Sequence, residues 1–157
     1  MILSQVFSPS AINIDLESIE KDEVFEEIVE GLIVSYSGLN RTGVLNALLE
    51  RESKLSTGIG KGFAVPHGVC AGVSGVKGFI GISREGIDFD SLDNVPVQVI
   101  FTMISGENEC EYHLQVIKRL AEVIKQPNFI KTLLSKTSPQ EVYDALIRFE
   151  ESATATI

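Results

Sequence analysis

Only two histidines occur in this chain, His67 and His113, and each stands where an imidazole could do chemistry. A neutral imidazole is a ready nucleophile near pH 7, because its unperturbed pKa is about 6.5. His67 lies near the end of the run Ser56-Thr57-Gly58-Ile59-Gly60-Lys61-Gly62-Phe63-Ala64-Val65-Pro66-His67-Gly68. Phe63, Ala64 and Val65 have strand character, and Pro66 cannot donate to a strand ladder, so the strand must end or reach a sheet edge there. Gly68 has no Cβ and leaves the backbone beside the imidazole open to a closely approaching ligand. His113 falls in the first turn of a predicted helix, with Val116 and Ile117 following at i+3 and i+4, so it faces inward at the helix start. Unpaired N–H groups at such a start can hold an anion, and the histidine could donate to the same anion. Arg51 stands three residues after Leu48, at the C-terminal end of the inward face of another predicted helix. Each residue also has a plain structural explanation. His67 could be an exposed loop histidine and His113 a partly buried helix-end histidine. Arg51 could be a solvated arginine complementing a helix dipole.

Other chemistries fit less well. Gly58-Ile59-Gly60-Lys61-Gly62 resembles a phosphate-cradling loop, but that fingerprint needs a strand before it and a helix after it. Here a helix precedes and a strand with Pro66 follows, so no nucleotide cofactor is expected and the glycines read as a flexible helix-to-strand turn. His67, Cys70, Cys110 and His113 match no standard metal-ligand spacing, and no metal is expected. Gly-x-Ser-x-Gly does not occur, which removes the usual serine-hydrolase elbow.

The elements that must position these residues follow from periodicity. Val24, Ile28, Leu32 and Tyr36 recur at i+4 and predict a helix over 20–36, with Asp22 and Glu23 in its first turn and Gly38 ending it. Val44, Leu45, Leu48 and Leu49 predict a second helix over 42–54. Ile12 to Leu16 alternates apolar and polar and reads as an edge strand. Val76–Ser83 and Val95–Ile104 are the richest in Val, Ile and Phe and read as the best strands, with turns at Cys70–Gly75 and Ser105–Asn108. A long helix is expected over 109–125, with Val116, Ile117, Leu120, Ala121 and Ile124 as its core stripe and Pro127 ending it. A short helix over 129–134 follows. The capping box Ser138-Pro139-Gln140-Glu141 opens a last helix. The expected architecture is an α/β single domain over residues 1–150, a mixed sheet of about five strands with helices on both sides. Residues 151–157 read as a frayed tail.

Composition narrows the class. A chain of 157 residues, 44% of them hydrophobic, can bury a substantial core. The apolar runs are too short to span a bilayer, and the first twenty residues carry acidic but no basic side chains, so neither membrane insertion nor a secretory leader is expected. Two cysteines that form neither a framework nor a CxxC pair point to a reducing cytoplasm. A net charge of −9 argues against nucleic acid and for a partner with a basic patch.

Glu52, six residues, Ile59-Gly60, two residues, then Phe63-Ala64-Val65-Pro66-His67-Gly68 resembles the signature of the type-2 EIIA domain. This is the fructose/mannitol class of the phosphoenolpyruvate-dependent sugar phosphotransferase system, which also includes nitrogen-regulatory EIIA proteins. Ile14 to Val29, Ala47 to Gly68 and His113 to Leu120 carry the likeness. Lys61 departs from it, standing where the family often has asparagine, which could alter the charge beside the site. The resemblance implies that His67 is the phosphorylated residue and that His113 and Arg51 are its partners. It implies a donor resembling the small phosphocarrier HPr, and an EIIB acceptor or a regulated protein partner. Phosphoryl transfer spreads charge over three oxygens, so catalysis is mainly positioning and charge stabilisation. Arg51 could clamp two oxygens, and His113 with its helix start could hold the third, with no metal required. Such a carrier should present an exposed His67 in a shallow apolar rim, with Phe63, Val65, Val69 and Ala71 nearest in sequence. The sugar, the acceptor, the imidazole nitrogen used, the group fixing its tautomer and the oligomeric state stay open.

Overall fold

The computed structural model describes residues 1–155. The chain runs through α1 (Leu3–Val6), a 3₁₀ turn (Pro9–Ala11), β1 (Ile12–Asn13), α2 (Lys21–Ser35), α3 (Arg41–Lys54), β2 (Gly58–Gly60), β3 (Phe63–Ala64) and β4 (His67–Val69). It continues through β5 (Val76–Ile87), β6 (Val97–Ser105), α4 (Cys110–Ile124), α5 (Phe129–Leu134) and α6 (Pro139–Ala155). Six strands form one mixed sheet in the order β1-β5-β6-β3-β2, with β4 also on β6. β1 pairs parallel with β5, while β5 and β6 are antiparallel. β3 and β4 both run parallel to β6, one after the other along the same edge of that strand.

The sheet is buried on both faces because successive side chains of β6 point to opposite sides. Val99, Phe101 and Met103 join a core under α1, α4, α5 and α6, while Ile100 and Ile104 join a second core under α2 and α3. The periodic stripes of the sequence account for the helices. Val24, Ile28 and Leu32 of α2, and Val116 and Leu120 of α4, are fully buried. Phe129 packs against both Phe63 and Phe101, which also touch each other, and this cluster of rings ties α5 to the sheet.

The structure differs from the sequence expectation in several places, each for a local reason. The edge strand stops at Asn13 rather than Leu16, because Asn13 Oδ1 accepts the Asp15 N–H and turns the chain. β6 begins at Val97 rather than Val95, because the Val95 N–H donates to Asp93 Oδ1 and Pro96 has no N–H to offer. It continues through Ser105, expected in a turn, because that residue pairs with both Val76 and Val69. The expected helix-to-strand turn at Gly58–Gly62 is a hairpin instead. β2 pairs antiparallel with β3, and Lys61 and Gly62 both take positive φ, as a two-residue hairpin loop requires. The tail expected to fray from Glu151 is helical to Ala155, with Ala153 packed on the core, and 156–157 lie outside the described residues.

One buried charge closes the structure. Glu150 of α6 is fully buried, and its carboxylate accepts the N–H groups of Ile2 and Leu3 and the guanidinium of Arg119 on α4. Three elements are held by one side chain. Glu150→Ala takes the acceptor from the Ile2 and Leu3 N–H groups and leaves Arg119 only Glu122, and is expected to cost about 3 kcal/mol in chemical denaturation. A loss below about 0.5 kcal/mol, typical of exposed positions, would remove the carboxylate from this role.

Candidate functional site

His67 owes its position to an interruption. β3 ends at Ala64, Pro66 supplies only a carbonyl to β6 by accepting the Met103 N–H, and His67 resumes the ladder opposite Met103. β6 uses the Pro66 carbonyl and leaves that of Val65 to the ring, with His67 Nδ1 2.8 Å from it. A carbonyl can only accept, so Nδ1 carries the ring proton and Nε2 keeps a bare lone pair. Burial pulls the His67 pKa below the ordinary histidine value, opposed by the Val65 hydrogen bond, lowered further by Arg51 and opposed again by Glu52. The ring is therefore neutral at pH 7, and this proton-holding carbonyl is the group that side-chain motifs could not name.

The next layer fixes Val65. Its N–H donates to the Thr57 carbonyl at 2.9 Å. Thr57 is held by the buried carboxylate of Glu52, which accepts its N–H at 2.8 Å and its hydroxyl. Lys21 Nζ, 3.0 Å from Glu52 Oε2, balances the charge. The sequence offered Glu52 as the first residue of a signature and gave it no function. Here it ties α3 and α2 to the strand that aims His67.

Gly68 also acts differently from the expectation. A Cβ there would sit 3.0 Å from the Ala47 main chain, so what approaches Gly68 closely is the backbone of α3 rather than a ligand. Arg51 lies one turn beyond Ala47 on that helix. One guanidinium nitrogen donates to the Leu55 carbonyl at 2.8 Å, and the side chain lines the surface clefts that adjoin His67 on both sides.

His113 approaches from α4. Its ring stands edge-on to His67 with centroids 5.5 Å apart. It is only 6% exposed, and burial, assisted by the neighbouring His67, lowers its pKa to about 4. Its Nδ1 hydrogen-bonds to the buried Ser105 hydroxyl, while Nε2 is buried without a partner among the described residues. The expectation that the helix start itself offers the anion contact is not met at His113. Its backbone N–H is spent on the Glu109 carbonyl, so the ring is what it has to offer.

The rim differs from the one expected. Phe63 is core and Val65 is buried, while Val69 and Ala71 are exposed. Of the expected residues Val65 lines the cleft beside His67, and the rest of its apolar wall comes from Leu55, Ile59, Leu92, Ile117 and Ile124, drawn from four separate segments. Among the described residues, no three of His, Cys, Asp and Glu gather as a metal site would need.

The arrangement is a neutral imidazole with one bare nitrogen, a second neutral imidazole against it and a guanidinium at its flank. The family model described as "Phosphoenolpyruvate-dependent sugar phosphotransferase system, EIIA 2" matches residues 5–148. The chain belongs to the type-2 EIIA family. This EIIA domain is 32% identical over 146 residues to the PTS system fructose-specific EIIABC component of Bacillus subtilis, covering 93% of this chain and 23% of that protein. It matches the nitrogen regulatory protein IIA-Ntr of Neisseria meningitidis at 34% identity and a TM-score of 0.87, covering 93% of this chain and 99% of that one. The Escherichia coli mannitol enzyme IIA, solved in complex with phosphorylated enzyme IIB, shares the fold at 23% identity and a TM-score of 0.76, with 90% and 97% covered. Among the described residues of this EIIA domain, no helix is long and apolar enough to cross a membrane.

The depressed pKa of His113 sets a pH dependence. A free histidine protonates near 6.5, while folded His113 resists protonation down to about 4. The unfolded chain therefore takes up a proton first as pH falls, and the stabilisation present above 6.5 is lost between 6.5 and 4. The full loss is about 3 kcal/mol. Urea denaturation of the parent and of His113→Gln across this range should show the parent losing more stability by about that amount. Parallel pH profiles would mean that folded His113 titrates like a free histidine.

Proposed function

We propose that this EIIA domain is a cytoplasmic phosphocarrier of the phosphotransferase system, accepting a phosphoryl group on His67 Nε2. The observation that carries this reading is the Val65 carbonyl holding the Nδ1 proton, which leaves Nε2 as the nucleophile beside His113 and Arg51. The lone pair of Nε2 attacks the phosphorus of a phosphohistidine donor resembling HPr. A new N–P bond forms as the donor's N–P bond breaks, and the electron pair returns to the donor imidazole. The Nδ1 proton stays where it is. Arg51 and His113 stabilise charge on the equatorial oxygens. The group then passes to an EIIB acceptor of the fructose/mannitol class, which restores neutral His67. Transfer in both directions needs His67 within reach of a docked protein, and the open apolar wall from Leu55 to Ile124 supplies such a surface.

A second reading keeps this chemistry and changes its output. The likeness to IIA-Ntr across nearly the whole of both chains favours a regulatory protein, in which the phosphorylation state of His67 selects the partner that docks and no sugar moves.

Incubation with phosphoenolpyruvate, enzyme I and HPr, read by intact mass, should add one phosphate to the parent chain and none to His67→Ala. A phosphate on the Ala variant would place the nucleophile elsewhere. His113→Ala and Arg51→Ala should still be phosphorylated at His67, each more slowly by about 10²–10³-fold, the usual cost of one preorganised donor. Unchanged rates in both would return these residues to structural roles. Adding an EIIB and following loss of the phosphate separates transport from regulation.

Association with HPr should weaken as salt rises, because an acidic chain of net charge −9 steers a basic partner. Amide shifts clustered around His67 and His113 at low salt, diminished at high salt, are the expected NMR result. Shifts on the opposite face of the domain would contradict it.

A further inference from the structure

His113 could carry its proton on either nitrogen, and only one choice makes it a hydrogen-bond donor toward the site. The hydroxyl of Ser105 lies against Nδ1, and Ser105 is fully buried at the end of β6. Among the described residues that hydroxyl has no other hydrogen-bond partner. Two arrangements are possible. If Nδ1 carries the proton, Ser105 accepts it. Its own O–H is then left without an acceptor, and His113 Nε2 is a buried lone pair with no donor. If Ser105 donates to Nδ1, the hydroxyl proton is satisfied and the ring proton moves to Nε2. The one group left over is then an N–H beside His67. The first arrangement strands two buried polar groups and the second strands one, and buried polar groups are rarely left unpaired.

We infer that Ser105 is the positioning residue for His113, donating to Nδ1 so that the ring presents Nε2–H as a donor to the phosphoryl group on His67. The two imidazoles of the site are then fixed in opposite tautomers. The Val65 carbonyl holds His67 as Nδ1–H with a bare Nε2, and the Ser105 hydroxyl holds His113 as Nε2–H with a bare Nδ1. One ring offers a lone pair to phosphorus and the other a proton to a phosphoryl oxygen. No proton leaves either ring during transfer. The anchor is well placed, because Ser105 pairs with Val69 two residues beyond His67 in β4. The same strand edge thereby sets the positions of both rings. The buried His113 is neutral at pH 7, as the tautomer argument needs.

The tautomer rests on this geometry alone, and its consequence for rate rests on the phosphocarrier reading. The test uses the full chain labelled with ¹⁵N-histidine. Long-range ¹H–¹⁵N spectra at pH 7 should show the parent's His113 with a protonated Nε2 and a bare Nδ1, and His67 with the reverse. In Ser105→Ala the two His113 nitrogens should move toward values averaged over both tautomers, while those of His67 stay in place. Phosphorylation of Ser105→Ala by phosphoenolpyruvate, enzyme I and HPr should slow by about tenfold, short of the 10²–10³-fold expected when a donor is removed outright. Added to His113→Ala, the same substitution should slow nothing further, because there is no ring left to orient. A protonated Nδ1 on His113 in the parent overturns the inference. So does a Ser105→Ala chain with the parent's spectrum and rate, or an equal loss in the His113→Ala background. If the parent takes no phosphate, the phosphocarrier reading fails, and the spectra still decide the tautomer.

Discussion

The hydrogen bond from His67 Nδ1–H to the Val65 carbonyl is the constraint on which the rest of the site depends. A carbonyl inside an unbroken parallel ladder is occupied by the neighbouring strand. This one is free because β6 takes the Pro66 carbonyl next to it, and the Thr57 N–H on its other side is donated to Glu52. The freed acceptor then sits two residues before the imidazole it orients. Its backbone is held in turn by Thr57, and Thr57 by the carboxylate of Glu52. A buried carboxylate is a costly way to hold a loop, and it persists here because two donors from Thr57 and the ammonium of Lys21 satisfy it.

β6 is the frame for both histidines. Met103 fixes His67 by pairing, and Ser105, two residues on, meets His113. The chain then turns into α4, which carries His113 back over the strand end. Gly68 brings α3 against the other side, so that Arg51 reaches the same place from a helix that belongs to the opposite core. Two cores meet at the C-terminal ends of the parallel strands, which is where an open α/β sheet has room for a site. The positions of the three side chains are therefore consequences of strand pairing and close packing, and little of the geometry is left to flexible loops.

How much of this the sequence disclosed varies with the kind of interaction. Helices α2 to α6 were legible because their apolar residues repeat at helical spacing and their caps use recognisable residues, as at Ser138 and Glu141. The three candidate site residues were named through the family resemblance, His67 and Arg51 from the Ala47–Gly68 signature region and His113 from a separate helix, and the structure brings them together. What escaped were the partners that act through main-chain atoms or distant side chains. The Val65 carbonyl carries no side-chain signal. The Gly58–Gly62 hairpin was hidden because its pairing partner β3 is only two residues long. Ser105 read as a turn residue because a serine before a glycine usually is one, and only its pairing to Val69 and Val76 makes it strand. The apolar rim was misplaced because nearness in sequence is a poor guide to a wall built from four segments.

The electrostatics of the site run against those of the whole chain. The chain is strongly acidic, yet His67 is flanked by a second neutral imidazole and a guanidinium. Burial keeps the rings neutral, and in the phosphocarrier reading that neutrality is what makes His67 a nucleophile and spares it repulsion from a cationic neighbour. The same burial then serves the product. A phosphoryl group arriving on His67 would bring negative charge to a half-buried position beside the buried His113, where a hydrogen bond to it is stronger than in solvent. The group would also raise the proton affinity of His113, opposing the desolvation that depresses it. A neutral pair of rings before transfer and a held anion after it thus follow from one feature, the burial of His113 against a half-buried His67 where α4 meets β4.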